Sequence, residues 1–266
     1  MRGEAVSEAF LGAIFDVDGV LVDSPHAKAW RESLRQLMES DWSDIRDQTT
    51  WSPDAFTPHV YETILSGKPR MSGARAALEY FHVPDVDARV ESYADRKQRM
   101  VIELIEAGDF TAYPDALRFL IAVKDRGLAV AAASSSKNAN LFLEQIRLDT
   151  FAADERISSP YVHPGSTLLD FFDANVNGRD FKHGKPDPEM FLTAAGELRV
   201  PPKRAFVLED AAAGVQAAKA GEMGAIGIAR ANDAELLGNA GADVVVTTLD
   251  DVDLAELGVG RLVLRA

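Results

Sequence analysis

The sequence predicts an α/β protein: a parallel sheet with helices between its strands, interrupted by a block that is helical throughout. Two observations carry this. Short apolar runs recur along the chain, and three of them stop abruptly at polar residues: Ala13–Phe15 before Asp16 and Asp18, Leu128–Ala133 before Ser134, and Arg204–Leu208 before Glu209 and Asp210. Apolar runs bounded by turn residues read as buried strands, and strands alternating with helical patterns imply a parallel sheet. Between about residues 26 and 110 no such run occurs, and the apolar spacing is helical.

Taken in order, residues 13–22 form the first strand and its exit, with Gly19 able to turn sharply. If the strand holds to its end, Asp16 and Asp18 project to one side; alone, Asp-Val-Asp-Gly is equally a surface turn. Asp23-Ser24-Pro25 starts a helix with Trp30, Leu34, Leu37 and Met38 on one face and His26 at its head. By itself His26 reads as a capping or surface residue. Residues 40–58 are polar and broken by Pro53 and Pro58. After helical patterning at Val60, Ile64 and Leu65, Gly67-Lys-Pro-Arg70 makes a cationic turn. Helices follow over about 74–81 and 85–107. Lys97 falls inside the apolar stripe of the second, either snorkelling to water or pointing into a cleft. Tyr113-Pro-Asp115 opens a helix to Lys124, and the strand 128–133 ends in Ser134-Ser-Ser-Lys-Asn138 before a helix over 140–147. Those serines are either an anion seat or an ordinary cap. Residues 151–157 are expected to form a weak third strand, and 158–182 to be irregular. Lys185, in Gly184-Lys-Pro-Asp-Pro188, precedes a helix over 189–198. The strand 204–208, a helix of small residues over 211–220, and strands at 224–229 and 243–246 complete the pattern.

Composition narrows the function. Apolar residues make up 47% of 266, enough for a normal core. The net charge of −14 argues against nucleic acid or an anionic membrane as partner, and makes an anionic substrate depend on local cations or a metal. Cysteine is absent, which excludes disulfides and thiolate chemistry. The stretch from Met1 to Leu11 lacks the apolar segment of a signal peptide, and no run has the length of a membrane span. A cytoplasmic protein is expected, with a monomer as the working oligomeric state.

In a parallel sheet, Asp16, Asp18, Ser134, Glu209 and Asp210 all fall at the carboxyl edge, where such folds bind ligands. Several carboxylates with one lysine suit a divalent cation, and Mg²⁺ prefers hard oxygen donors alongside substrate phosphate. An aspartate can serve as the nucleophile in phosphoryl transfer.

These motifs, in this order, resemble the haloacid dehalogenase superfamily: Phe-Asp-Val-Asp-Gly at 15–19, Ser134, Lys185 in Gly-Lys-Pro, and Glu209-Asp210. The resemblance implies a Rossmann-like parallel sheet core, residues 1–25 and 111–266, with an inserted small all-helical cap, residues 26–110. It implies Asp16 as nucleophile and Asp18 as general acid/base, with Ser134 and Lys185 holding the transferring phosphoryl group. Mg²⁺ would be held by Asp16, the backbone carbonyl of Asp18, Asp210 and, beside them, Glu209. Within the superfamily the chain is most similar to the β-phosphoglucomutase branch. His26 in His-Ala-Lys-Ala-Trp, Arg70, Lys97, and Ser136, Lys137 and Asn138 match substrate-binding positions there. The sequence departs from that branch at Ala211, where serine is usual, in a shorter segment between Asp23 and His26, and in a long insertion at 158–182.

The resemblance implies Mg²⁺-dependent transfer on a phosphorylated sugar through phospho-Asp16. The acceptor is a sugar hydroxyl in a mutase converting β-glucose 1-phosphate to glucose 6-phosphate, or water in a sugar-phosphate phosphatase. A non-catalytic binding protein fits less well, because every catalytic position is filled.

Overall fold

A computed structural model describes residues 8–65, 68–231 and 233–265; Gly67 of the cationic turn and the N-terminal stretch through Ser7 lie outside the described residues. The chain divides into two compact units, one running up to Asp23 and again from Thr111, the other Ser24–Phe110.

Strand β1 (Gly12–Phe15) is buried along its whole length. It stops at Phe15, so the condition for strand alternation to align Asp18 with Asp16 is not met. The chain instead folds back: the Leu21 and Val22 amides donate to Val17 O at 2.9 and 3.0 Å, and Gly19 donates to Val22 O at 2.8 Å. Gly19 has φ 76°, a conformation open to glycine at little cost. A short strand β2 (Val22–Asp23) follows.

The helical unit contains α1 (His26–Glu39), the single turn α2 (Pro58–Val60) continuing as a wide turn over Tyr61–Leu65, α3 (Arg70–Tyr80) and α4 (Val86–Glu106). The expected face of α1, Trp30, Leu34, Leu37 and Met38, packs with Ala74, Ala77 and Leu78 of α3 and with Val90, Tyr93 and Ala94 of α4. Tyr93 donates its hydroxyl to Trp30 O at 2.9 Å and meets the Trp30 ring edge-on. Helix α3 begins at Arg70, earlier than its apolar spacing suggests, because Pro69 precedes it with φ already near the helical value. Arg70 is therefore a first-turn helix residue and not part of a free turn.

The chain returns through β3 (Thr111–Ala112), antiparallel to β2 with Val22 opposite Ala112. Then come α5 (Pro114–Asp125), β4 (Ala129–Ala132), α6 (Ala139–Gln145), α7 (Leu148–Asp154), β5 (Ala174–Asn175), α8 (Glu189–Leu198), β6 (Ala205–Glu209), α9 (Ala212–Ala220), β7 (Gly224–Ile228), α10 (Ala234–Asn239) and β8 (Val244–Val246). Six strands form one sheet in the order β5-β4-β1-β6-β7-β8, and every pairing is parallel. Parallel strands buried on both faces need near-continuous apolar sequence, which is what β1, β4, β6 and β7 supply.

Two expectations fail here. Residues 151–157 are not a strand: Leu148 and Ala152, four apart, bury one face of α7. The missing strand, β5, lies inside the stretch expected to be irregular and an insertion. It spans two residues beside Asp173, whose carboxylate accepts the Val130 amide at 2.8 Å and pins the strand to β4. A polar edge strand of that length has no apolar run to announce it.

Candidate active site

The register of the sheet builds the site. Phe15 stands opposite Ala132 on one side and Leu208 on the other, so Asp16, one residue on, is flanked by Ala133 and Glu209. Its amide still donates to Leu208 O at 3.1 Å. Asp16 and Glu209 are almost fully buried, at 5% and 1% exposure, and Asp210 is half-buried. One carboxylate oxygen from each of Asp16, Glu209 and Asp210 lies within 4.8 Å of the others. Lys185, between β5 and α8, donates to Asp16 Oδ1 and Glu209 Oε2, each at 2.7 Å. The second Glu209 oxygen accepts the Ala211 amide at 3.3 Å.

Two glycines make room for these groups. A Cβ on Gly19 would stand 1.8 Å from Asp210 Oδ2, and one on Gly214, in α9, 2.0 Å from Glu209 Cδ. The small-residue character of α9 was legible in the sequence. That Gly214 accommodates an acid side chain was not, because the contact depends on how the chain turns between β6 and α9.

The electrostatics show a cluster short of positive charge. Burial pushes the Asp16 carboxyl from 3.8 up to about 7, against the pull of Lys185 and with help from Asp210 and Asp18. Burial likewise raises Glu209 to about 7, opposed by Lys185. Asp210 is raised to about 8, by lost solvation and then by Glu209. Burial works against the Lys185 ammonium, yet Asp16 and Glu209 outweigh it and hold the lysine charged. One ammonium cannot balance three carboxylates. A hard divalent cation fits this all-oxygen donor set, and would reverse the upward shifts by favouring the ionised acids. Asp18 sits in the turn after β1, outside the carboxylate trio, and its charge is felt by both Asp16 and Asp210.

Ser134 is buried at 2% exposure. Its Oγ accepts the Ser136 amide at 3.1 Å, and Ser136 Oγ accepts the Asn138 amide at 3.3 Å. Each serine oxygen thus shapes the loop while its hydroxyl hydrogen is left to donate outward. Asn138 is buried. Lys137 is exposed, donating to Gly178 O at 2.7 Å and Asp180 Oδ1 at 2.5 Å.

In the helical unit, Lys97 does not snorkel. It is 6% exposed, its ammonium 5.0 Å from the centre of the Trp30 ring and 3.5 Å from His26 Nδ1. Arg70 is exposed and 3.4 Å from Asp95. Sequence reading missed a further buried pair in the core unit. Asp115 Oδ1 accepts from Arg230 at 3.0 Å and Asp115 Oδ2 from the Leu249 amide, while the Arg230 guanidinium lies 3.9 Å over the Tyr113 ring.

A sequence model described as haloacid dehalogenase-like hydrolase matches residues 11–221. The chain belongs to this family. It is 34% identical to the β-phosphoglucomutase of Mycobacterium bovis, over 94% of this chain and 92% of the relative. It is 29% identical to a phosphorylated carbohydrates phosphatase of Thermotoga maritima, over 88% of this chain and 92% of that one. Among solved structures, an archaeal β-phosphoglucomutase from Pyrococcus sp. strain ST 04 superposes with a TM-score of 0.67 at 27% identity, covering 92% and 96% of the two chains. The chain is thus a haloacid dehalogenase-family enzyme of the β-phosphoglucomutase-like branch, a phosphotransferase or phosphatase. Among the described residues no helix is long and apolar enough to cross a membrane.

Proposed function

We propose that the protein transfers a phosphoryl group from a sugar phosphate to Asp16 and on to a second oxygen, most like a β-phosphoglucomutase converting β-glucose 1-phosphate to glucose 6-phosphate. The observation that carries this is the set of buried Asp16 and Glu209 and half-buried Asp210 at the carboxyl ends of β1 and β6, with Lys185 bonded to both buried acids.

An Asp16 oxygen attacks phosphorus, and the bond to the sugar oxygen breaks. Asp18 protonates the departing oxygen, sparing it a full negative charge. The acceptor hydroxyl then returns its proton to Asp18 as it attacks phospho-Asp16, and the Asp16–phosphorus bond breaks. Ser134 donates to a phosphoryl oxygen from its anchored loop. Lys185 favours the ionised form of Asp16 against the effect of burial and balances charge on the transferring group. Asp16, Asp210, the Asp18 carbonyl and Glu209 would hold Mg²⁺, which when bound neutralises charge on the phosphoryl oxygens.

The helical unit 24–110 acts as a cap. His26 and Lys97 face the sugar, and Arg70 takes the second phosphate of a bisphosphate intermediate, its planar fork suited to paired oxygens. A phosphatase using the same residues is the second reading. It is favoured because Arg70 and Lys137, the cations a second phosphate would need, are already paired, with Asp95 and Asp180.

The test is a panel of phosphorylated sugars with phosphate release and isomer formation both measured, on wild type, Asp16→Asn and Arg70→Ala. Asp16→Asn should abolish covalent labelling. Arg70→Ala should impair isomerisation about ten- to a hundredfold more than hydrolysis of a small aryl phosphate, the scale of one charge-assisted contact. A wild type that releases phosphate but forms no isomer decides for the phosphatase.

A further inference from the structure

The segment after β5 grips the loop after β4. Gly178, at φ 63°, donates its amide to Ser134 O at 2.8 Å. It lies so close that a Cβ would come within 3.2 Å of both Lys137 Cα and Ser136 O. Behind it, buried Asn177 and its neighbour Asn175 both donate side-chain amides to Asn140 Oδ1, at 3.0 and 2.9 Å. This ladder fixes the course of the chain from Asn175 to Gly178. Two residues on, Asp180 reaches the Lys137 ammonium at 2.5 Å, and the Gly178 carbonyl takes a second of its protons at 2.7 Å. The carboxylate is itself 94% exposed, and Lys137 is its one ion-pair partner among the described residues. An aspartate with no burial to satisfy, set two residues past that ladder against the exposed cation of a binding loop, alters what that loop attracts more than it stabilises the fold.

We infer that Asp180 is a specificity-determining residue: it neutralises Lys137 and adds a negative rim to the Ser136–Asn138 loop, disfavouring ligands with a second dianionic group. This rests on the phosphatase reading above, with Lys137 and Asn138 as the core-side seat for the far end of the substrate. A ligand with a neutral far end meets a seat without net charge. A bisphosphate must displace Asp180 from Lys137 or accept its repulsion. The loop thereby selects on charge without any change to the acids that perform transfer.

Asp180→Asn tests it, with Asp180→Glu as the charge-conserving control. Calorimetric binding of glucose 1,6-bisphosphate should tighten about two- to fivefold in Asp180→Asn, the scale of an exposed ion pair, and stay at the wild-type value in Asp180→Glu. The KM and kcat for p-nitrophenyl phosphate, which has no second anion, should not move. The gain should vanish in Asp180→Asn/Lys137→Met compared with Lys137→Met alone, because the effect acts through Lys137. Unchanged bisphosphate binding in Asp180→Asn, an equal change for both ligands, or a gain that persists without Lys137 overturns the inference. A wild type that turns over no phosphate ester but shows the binding pattern overturns the proposed function and leaves the charge selection standing.

Discussion

Gly19→Ala isolates the geometric demand at the centre of the site. The new Cβ would sit 1.8 Å from Asp210 Oδ2 and 2.2 Å from Asp210 Cγ, so the carboxylate must retreat by about 1.6 Å to reach the ordinary contact limit of 3.4 Å. Alanine at φ 76° adds a backbone cost of about 1–2 kcal/mol. Gly127 separates the two effects: its φ is 82°, and nothing lies within 4 Å of where its Cβ would be. Gly127→Ala should therefore lose about 1–2 kcal/mol in urea unfolding and keep its affinity for Mg²⁺. Gly19→Ala should show at least that loss, and its Mg²⁺ affinity by calorimetry should fall about 10–100-fold, the range for disturbing groups that orient a metal ligand. Turnover should fall by about 10² or more, since a displacement of 1 Å at a reacting centre costs that much. If Gly19→Ala binds Mg²⁺ as Gly127→Ala does, Asp210 is not held where the reasoning needs it.

Three further outcomes follow from the same geometry. Asp18→Asn should keep the fold and the Mg²⁺ affinity while slowing turnover about 10²–10⁴-fold; a near-normal rate removes Asp18 from proton transfer. Chelator should abolish activity and added Mg²⁺ restore it, and full activity in protein shown metal-free by elemental analysis would refute the metal assignment. Without metal, stability should decline as pH rises from 5 to 8.5. Asp16 and Glu209 titrate at about 7 and Asp210 at about 8 in the folded chain, against 3.8, 4.5 and 3.8 otherwise, so the folded state holds extra protons whose contribution is complete below about pH 4 and is lost through pH 7–8. Thermal melts in chelator should show the decline and Mg²⁺ should reverse it; a flat or rising profile contradicts it.

The core of the site was legible because it is written as strand endings. An apolar run that stops at a polar residue states both where the strand ends and what it delivers, and Asp16, Ser134 and Glu209 are each legible that way. Whether Asp16 and Asp18 share a side turned on the strand holding past Phe15; it does not, and a turn around Val17 and Gly19 places Asp18. Edge strand β5, two residues long, and helix α7, seven residues long, gave local periodicity too few residues to act on. Tyr113 and Asp115 are legible only as a helix start, since Arg230 meets Asp115 across 115 residues of sequence. Lys97 was ambiguous for another reason: a lysine in an apolar stripe can leave it or stay, and Trp30 and His26, which keep it, lie on another helix.

The pairing of β2 with β3 has a consequence for how this chain can change. Asp23 stands opposite Thr111, so the two places where the chain leaves and re-enters the core are neighbours on adjoining strands. Joining such strands needs only a hairpin of two to five residues. The whole of Ser24–Phe110 thus occupies the position of an ordinary turn, and the sheet that carries Asp16, Glu209 and Asp210 closes its hydrogen bonds without it. Helices could be lengthened, exchanged or lost within that loop while the register that sets those acids side by side stays as it is. Ancestry could rewrite the inserted piece at a different pace from the rest.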